Sequence, residues 1–304
     1  MQLFFAVNLA ITRHQVMRMN RNQNPAVDVN LKALASRLET TFVEASPLSG
    51  GLTNRCWKLK DSSDNQYVWR PNSLILDVFG LTRKQEFQVL KLLDEVSWAP
   101  KAIDCTSRGL LVSWLEGEVT DSNSTVRVNQ LVDLLSTIHK TKLPQGHKLA
   151  SFDYEQRIEH YWQQLDPKYH SQALRELNLK YQHQPVLPVV EPALCHLDFG
   201  VHNIVQAQEG LKVIDWEYAA IADPRLDLAM ALDMVGEVSY SVVERYLSNR
   251  GLTRSEMQSY HCGVQAWLNH SRYMAILWYL LAHQHYQQPL YRDSALALIA
   301  QLTA

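Results

Sequence analysis

The spacing of apolar residues changes once along this chain, and that change limits what it can fold into. In the first third, short runs of strand character alternate with turn signals. Thr41–Ala45 and Arg55–Leu59 flank the small-residue turn SPLSGGLTN, and DSSDN (61–65) separates the second run from a third, QYVWR at Gln66–Arg70. A helix follows. Thr82 and Gln85 have capping-box spacing, and Phe87, Leu90 and Leu93 form an apolar stripe. Two more strands, at Lys101–Cys105 and Gly109–Trp114, complete a small sheet. Beyond it the period is helical. Leu131, Leu134, Leu135 and Ile138 follow the i, i+3, i+4, i+7 rule, and Phe152–Leu165 and Ser171–Gln182 read as further helices. A short β island interrupts them at Ala193–Leu197, Ile204–Ala207 and Leu211–Ile214. Asp223-Pro224 reads as an N-cap with Pro at the first helical position, and the chain from Ser239 onward as helices rich in Trp and Tyr. The expected class is α+β, with a small β-rich lobe (25–114) and a larger, mostly helical lobe (115–304), meeting near Trp114–Gly117.

The 304 residues suffice for one large domain or two lobes, and 46% apolar content supplies a core. A net charge of −2 offers no basic excess for nucleic acid. Cys56, Cys105, Cys195 and Cys262 stand singly, without metal-ligand or CxxC spacing, so they read as buried small hydrophobes in a reducing compartment, the cytoplasm. Met1–Ile11 is apolar, but basic residues follow rather than precede it, no small-residue cleavage site closes it, and it is too short to span a bilayer. Residues 1–24 are therefore expected to be a mobile arm, in preference to a membrane-surface anchor.

The stretch Cys195–Asp215, CHLDFGVHNIVQAQEGLKVID, carries the chemistry. It sets Asp198 before Asn203 with four residues between them, and Asp215 at the end of the next apolar strand. Phosphoryl transfer requires one carboxylate at the attacking hydroxyl and separate oxygen ligands that hold Mg²⁺ against nucleotide phosphates. An isolated D-x-x-x-x-N is common in turn-rich loops. Here Asp215 follows at the right distance, after a strand, with Asp223 and Asp227 behind it. Asp198 is thus expected to be the catalytic base, or the group that orients the hydroxyl, with Asn203 and Asp215 as Mg²⁺ ligands. His196 suits a packed brace and His202 a loop surface. Ser49, Gly50, Gly51, Thr53 and Asn54 can bring backbone N–H groups and small donors to phosphate oxygens, although Gly-Gly is equally a plain hairpin turn. Arg70 ends the following strand, where a cation can hold the α/β-phosphates of ATP with Glu86 as its partner; the alternative is an ordinary surface ion pair.

These blocks resemble the aminoglycoside phosphotransferase and choline kinase superfamily, from about Phe42 to near the C-terminus. SGGLTN, HLDFGVHN and VIDWEYAAIADPRLDLA carry the resemblance, and LDFGVHN and IDWEYA are its most specific parts. The resemblance implies a two-lobed protein-kinase-like fold with ATP between the lobes and Ser113, Trp114 and Leu115 as the adenine-contacting hinge. It also implies Asp198 as the catalytic residue, Asn203 and Asp215 on magnesium, and Asp227 bracing the loop from below. Many members have Lys where Arg70 stands; choline kinase-like and thiamine kinase-like members often have Arg, and D-x-E followed by Tyr-Ala is typical of them. Glu217 then helps organise metal or substrate, or is a surface acid.

For the acceptor, YWQQLDP (161–167) and LKVIDWEYA are similar to bacterial thiamine kinases, whereas SRYMAILWYLL (271–281) and SGGLTN are similar to choline kinases. Both substrates are small cations bearing a primary alcohol, which aromatic faces hold well. Tyr161, Trp162, Trp267, Tyr273 and Trp278 are candidates, Trp278 above the others, against the reading that aromatics at helical spacing are core. Thiamine is preferred because YWQQLDP falls on the substrate side of the fold. Alternatives are choline or ethanolamine, a small-molecule-binding pseudokinase, and an aminoglycoside, for which the chain after Ser239 has few acids.

Overall fold

The computed structural model describes residues 29–48, 56–120 and 126–304. Five strands form one antiparallel sheet in the order β1-β2-β3-β5-β4: β1 (Phe42–Pro47), β2 (Trp57–Asp61), β3 (Gln66–Pro71), β4 (Ala102–Thr106) and β5 (Gly109–Ser113). Alternation along the strands separates its two faces. Leu59, Trp69 and Leu111 turn outward and pack with Leu31 and Leu34 of α1 (Val29–Arg37). Leu110 and Val112 turn inward and join the main core. Arg70 is registered opposite Leu110, so it shares the inner face.

Against that face lies α3 (Arg83–Leu92), reached through the short α2 (Leu74–Val78). The Thr82 hydroxyl accepts the Gln85 N–H at 3.1 Å, which fixes the start of α3 as its sequence predicts. Val89 and Leu90 are completely buried, and Glu86 on the same helix points to Arg70.

The remainder is helical around two small β ribbons. Helices α4 (Val128–His139), α5 (Tyr154–Gln164), α6 (Gln172–Tyr181), α7 (Pro224–Val235), α8 (Tyr240–Arg250), α9 (Arg254–Tyr286) and α10 (Pro289–Thr303) surround them. The 33-residue α9 runs through the middle and packs on α7 and α10. The β island divides in two. β7 (Ala193–Cys195) pairs with β10 (Ala220–Ala222), while β6 (Glu118–Val119), β8 (Ile204–Ala207) and β9 (Gly210–Val213) form a separate ribbon. Asp223 caps α7 by accepting the Arg225 N–H at 2.9 Å.

The expected 1–24 arm and the Ser49–Asn54 turn lie outside the described residues. The expectation of buried cysteines holds for Cys56 and Cys195; Cys105 is half-buried and Cys262 exposed, because its position on α9 faces away from the core. Among the described residues no helix is long and apolar enough to cross a membrane.

Candidate active site

Ribbon β8–β9 sets the geometry. Ile204 pairs with Val213, and the Ile214 N–H donates to the Asn203 carbonyl at 2.9 Å. Asn203 and Asp215 are therefore held at the same end of one ribbon. The loop before β8 carries Asp198. Asn203 Nδ2 donates to the Asp198 backbone carbonyl and to its Oδ2, both at 2.9 Å. This fixes the carboxylate and spends the amide nitrogen of Asn203, turning its carbonyl oxygen to other use. Leu197 (φ 60°) and Asp215 (φ 65°) both adopt left-handed backbone, which costs on the order of 1–3 kcal/mol per non-glycine residue and needs support.

Asp227, on α7, supplies that support. Completely buried, its carboxylate accepts the N–H of His196 at 2.7 Å and of Leu197 at 2.8 Å, and faces His139 Nε2 at 2.9 Å. Burial works against its charge, but the His139 hydrogen bond and the nearby histidines outweigh it and lower its pKa. His196 is the brace that its sequence suggests: its Nε2 donates to the Ile214 carbonyl at 3.1 Å and its ring meets Trp216 edge-on. His202 departs from a surface role. Its ring packs over Gly200, where a Cβ would collide with it, and its Nε2 lies 3.5 Å from Asp198 Oδ2. Burial opposes its charge, yet the Asp198 carboxylate outweighs burial and raises its pKa.

Arg70 is fully engaged inside the protein. Its Nε reaches Glu86 at 3.0 Å, and its Nη2 reaches Asp215 at 2.5 Å and Glu217 at 3.1 Å. Arg83 joins them, with Nη1 at 2.8 Å from both Glu86 and Glu217. This overturns the surface-pair reading of Arg70 and the surface-acid reading of Glu217, which is 3% exposed. It also means that Arg70 orients the Asp215 carboxylate instead of standing free for phosphates. Burial raises the pKa of Asp215, but Arg70 and Arg83 pull it below the usual carboxylate range. Glu217 moves upward through its own burial and the charge of Asp215.

The oxygen donors at Asn203 and Asp215 fit a hard divalent cation. Asp198 and Asp215 stay partly open, at 29% and 23% side-chain exposure, whereas Glu86 and Glu217 do not. At the expected hinge, the Ser113 and Trp114 N–H groups donate to the Lys101 and Gln66 carbonyls, so neither is turned to the cleft. Lys58 Nζ sits 3.8 Å above the Trp114 ring.

The aromatic candidates separate. Tyr161 is 2% exposed and meets Phe79 edge-on, as a core residue does; Trp267 and Tyr273 are likewise buried. Trp278 is half-buried, stacks on Phe79 at 5.2 Å, and donates Nε1 to the Tyr218 hydroxyl at 2.8 Å. Sequence reading missed Arg83 and Tyr218. The i, i+3 spacing of Arg83 and Glu86 was the available signal for the first, and the position of Tyr218 directly after Glu217 for the second.

The profile of the phosphotransferase enzyme family matches residues 44–260. The chain belongs to that family. It is a small-molecule phosphotransferase of mixed α+β, kinase-like fold. Thiamine kinase from Escherichia coli O17:K52:H18 is 28% identical over 212 residues, 69% of this chain and 72% of that protein. Among solved structures, the Plasmodium vivax ethanolamine kinase superposes with a TM-score of 0.68 at 16% identity, over 88% of this chain and 82% of that one. A Streptococcus pneumoniae choline kinase superposes with a TM-score of 0.67 at 18% identity, over 92% and 99%.

Proposed function

We propose that this phosphotransferase moves the γ-phosphoryl group of ATP to the primary alcohol of thiamine in the cytoplasm. The observation that carries the reaction is the Asp198 carboxylate fixed by Asn203 at the mouth of the ribbon that also presents Asp215. Asp198 orients the acceptor hydroxyl and takes its proton as the alcohol oxygen bonds to the γ-phosphorus and the bond to the β-phosphate oxygen breaks. Asn203 Oδ1 and Asp215 would hold Mg²⁺, which neutralises phosphate charge when bound. Arg70 keeps Asp215 aimed, and residues 113–115, at the 114/115 boundary between the lobes, would form the adenine side through groups other than the Ser113 and Trp114 N–H. Ser49, Gly50, Gly51, Thr53 and Asn54 would supply donors to the phosphates. Thiamine is preferred for the 28% likeness to thiamine kinase.

Choline or ethanolamine is the second reading. The Trp278–Tyr218 contact beside Phe79 favours it, since aromatic groups suit a small alkylammonium.

The test is ADP release from Mg²⁺-ATP with thiamine, choline, ethanolamine and an aminoglycoside in parallel. Turnover with thiamine alone supports the reading; turnover with choline or ethanolamine alone replaces the substrate and keeps the mechanism. Asp198→Ala is expected to lower kcat by about 10²–10⁴-fold while nucleotide binding, followed by calorimetry, persists. Undiminished turnover in that variant would remove Asp198 from the chemistry.

A further inference from the structure

A cavity of about 310 Å³ opens where the two lobes meet, apart from the Asp198–Asp215 cluster but sharing a wall with its surroundings. Gly80 and Gln85 line it from the sheet side, Gln156 and Arg157 of α5 from the helical side, and Tyr218 closes it. Tyr218 is the link to the reacting centre. It follows Glu217 in the chain, its hydroxyl is held by Trp278, and the charges that raise its pKa, after its own burial, are those of Tyr161, Glu217 and Asp198.

The lining has a definite chemistry. Arg157 Nη1 donates to the Phe79 carbonyl at 2.5 Å and lies 3.4 Å from the Tyr161 hydroxyl, so its guanidinium is fixed at the wall. Its charge is offset by that of Asp153 on the same lining, so the cavity offers a quaternary ammonium no unbalanced carboxylate. Gln85 Nε2 donates to the Ala219 carbonyl at 3.2 Å, which turns its side-chain oxygen toward an acceptor role. Asp153, at the start of α5, adds a carboxylate. Such a wall offers donors and acceptors together around a volume in the range of small-ligand sites. It suits a neutral, planar, hydrogen-bonding ring.

We propose that this cavity receives the neutral heterocyclic half of a two-part acceptor, the aminopyrimidine of thiamine, while the charged ring bearing the alcohol lies toward Asp198. The proposal rests on the thiamine reading above and adds the place where the substrate is told from a simple amino alcohol. Choline and ethanolamine have no second half to fill it. Gly80 and Gln85 come from one lobe and α5 from the other, so a filled cavity also draws the lobes together.

The test compares kcat/KM for thiamine with that for the N-methylthiazolium alcohol, which keeps the charge and the hydroxyethyl arm but lacks the pyrimidine. Binding energy gathered at a remote subsite appears in this ratio. The wild-type enzyme is expected to favour thiamine by roughly tenfold or more. In Gln156→Trp, whose exposed side chain is enlarged into the cavity, the preference is expected to collapse to within about threefold. Partial loss of folded protein scales both substrates equally and leaves the ratio intact. A preference unchanged in Gln156→Trp, or none in the wild type, overturns the proposal with the thiamine reading still standing. Turnover of choline but not thiamine removes that reading, and this one with it.

Discussion

At the scale of single residues, the site depends on two guanidiniums shared among three carboxylates. Arg70 and Arg83 between them hold Glu86, Asp215 and Glu217, all by contacts of 3.1 Å or less. Arg83 is 1% exposed, so removing its charge leaves Glu86 and Glu217 buried with half their compensation. Breaking a buried pair from one side typically costs about 3–5 kcal/mol, more than the apolar stem of a replacement returns. Arg83→Met is therefore expected to lower the urea midpoint strongly, and an unchanged midpoint would mean that the cluster contributes little to stability. Arg70→Lys tests the other function of the cluster. A single ammonium cannot span Glu86 and Asp215 as a guanidinium fork does. Supporting groups around a metal ligand typically carry about 10–100-fold in affinity or activity. The Mg²⁺ concentration for half-maximal ADP release should rise by that order in Arg70→Lys, while far-ultraviolet circular dichroism stays native.

At the scale of elements, legibility followed length and period. β2, β3, β4 and β5, and α3 to α6, were readable because each presents several periodic apolar residues and a turn or cap signal; Thr82 and Asp223 cap where the sequence places them. α1 was not readable. Its core contacts are Leu31 and Leu34 in a helix of 9 residues, too few to establish a period. β6 and β10 are two and three residues long, and only their partners define them. The same limit applied to the site. Asp198, Asn203 and Asp215 flank one ribbon and so lie in one stretch of sequence, whereas Arg83 meets them only through folding; Tyr218 stands three residues after Asp215, but its bond to Trp278 on α9 does not show in the sequence. One helix contact makes a separate test. Gly263 on α9 lies against Arg225, and a Cβ there would overlap the Arg225 side chain. Ala in a helix interior gains about 1 kcal/mol over Gly, and overpacking costs about 1–3 kcal/mol. Arg225 has no room to yield: it grips the Asp223 carboxylate with Nε and Nη2, and Nη2 also donates to the Pro188 carbonyl. The overlap should win, and Gly263→Ala is expected to be less stable by chemical denaturation. A gain in stability would show that Arg225 can move aside.

For the whole molecule, one buried node ties the helical lobe to the loop that carries Asp198. His139 closes α4, Asp227 opens α7, Tyr246 lies on α8, and Asp227 holds the His196 and Leu197 N–H groups of the loop. The distances fit a neutral ring, with Nε2–H donating to Asp227 at 2.9 Å and Nδ1 accepting the Tyr246 hydroxyl at 2.5 Å. Burial depresses the His139 pKa below its ordinary 6.5, more than Asp227 raises it. The folded state then takes up this proton less readily than the unfolded chain. The contribution is complete above pH 6.5 and lost as pH falls below it. His170, His261 and His270, depressed mainly by burial, act in the same direction, whereas His202, raised by Asp198, and Glu217, raised to about 7 by its burial and by Asp215, act in the opposite one. Asp227 titrates separately and lower: its depressed pKa gives stability above 3.8 that is lost as pH falls through the folded value. The gap in urea midpoint between the wild type and His139→Gln should therefore narrow from pH 7.5 down to 5.5 (a window set by the histidine pKa). His139→Gln keeps a donor and an acceptor but cannot be protonated. It should start lower and approach the wild type as the pH falls. Because the other histidines and Glu217 still titrate, some slope should remain in both. If the two slopes were the same, the acid sensitivity would lie elsewhere and His139 would serve by packing alone.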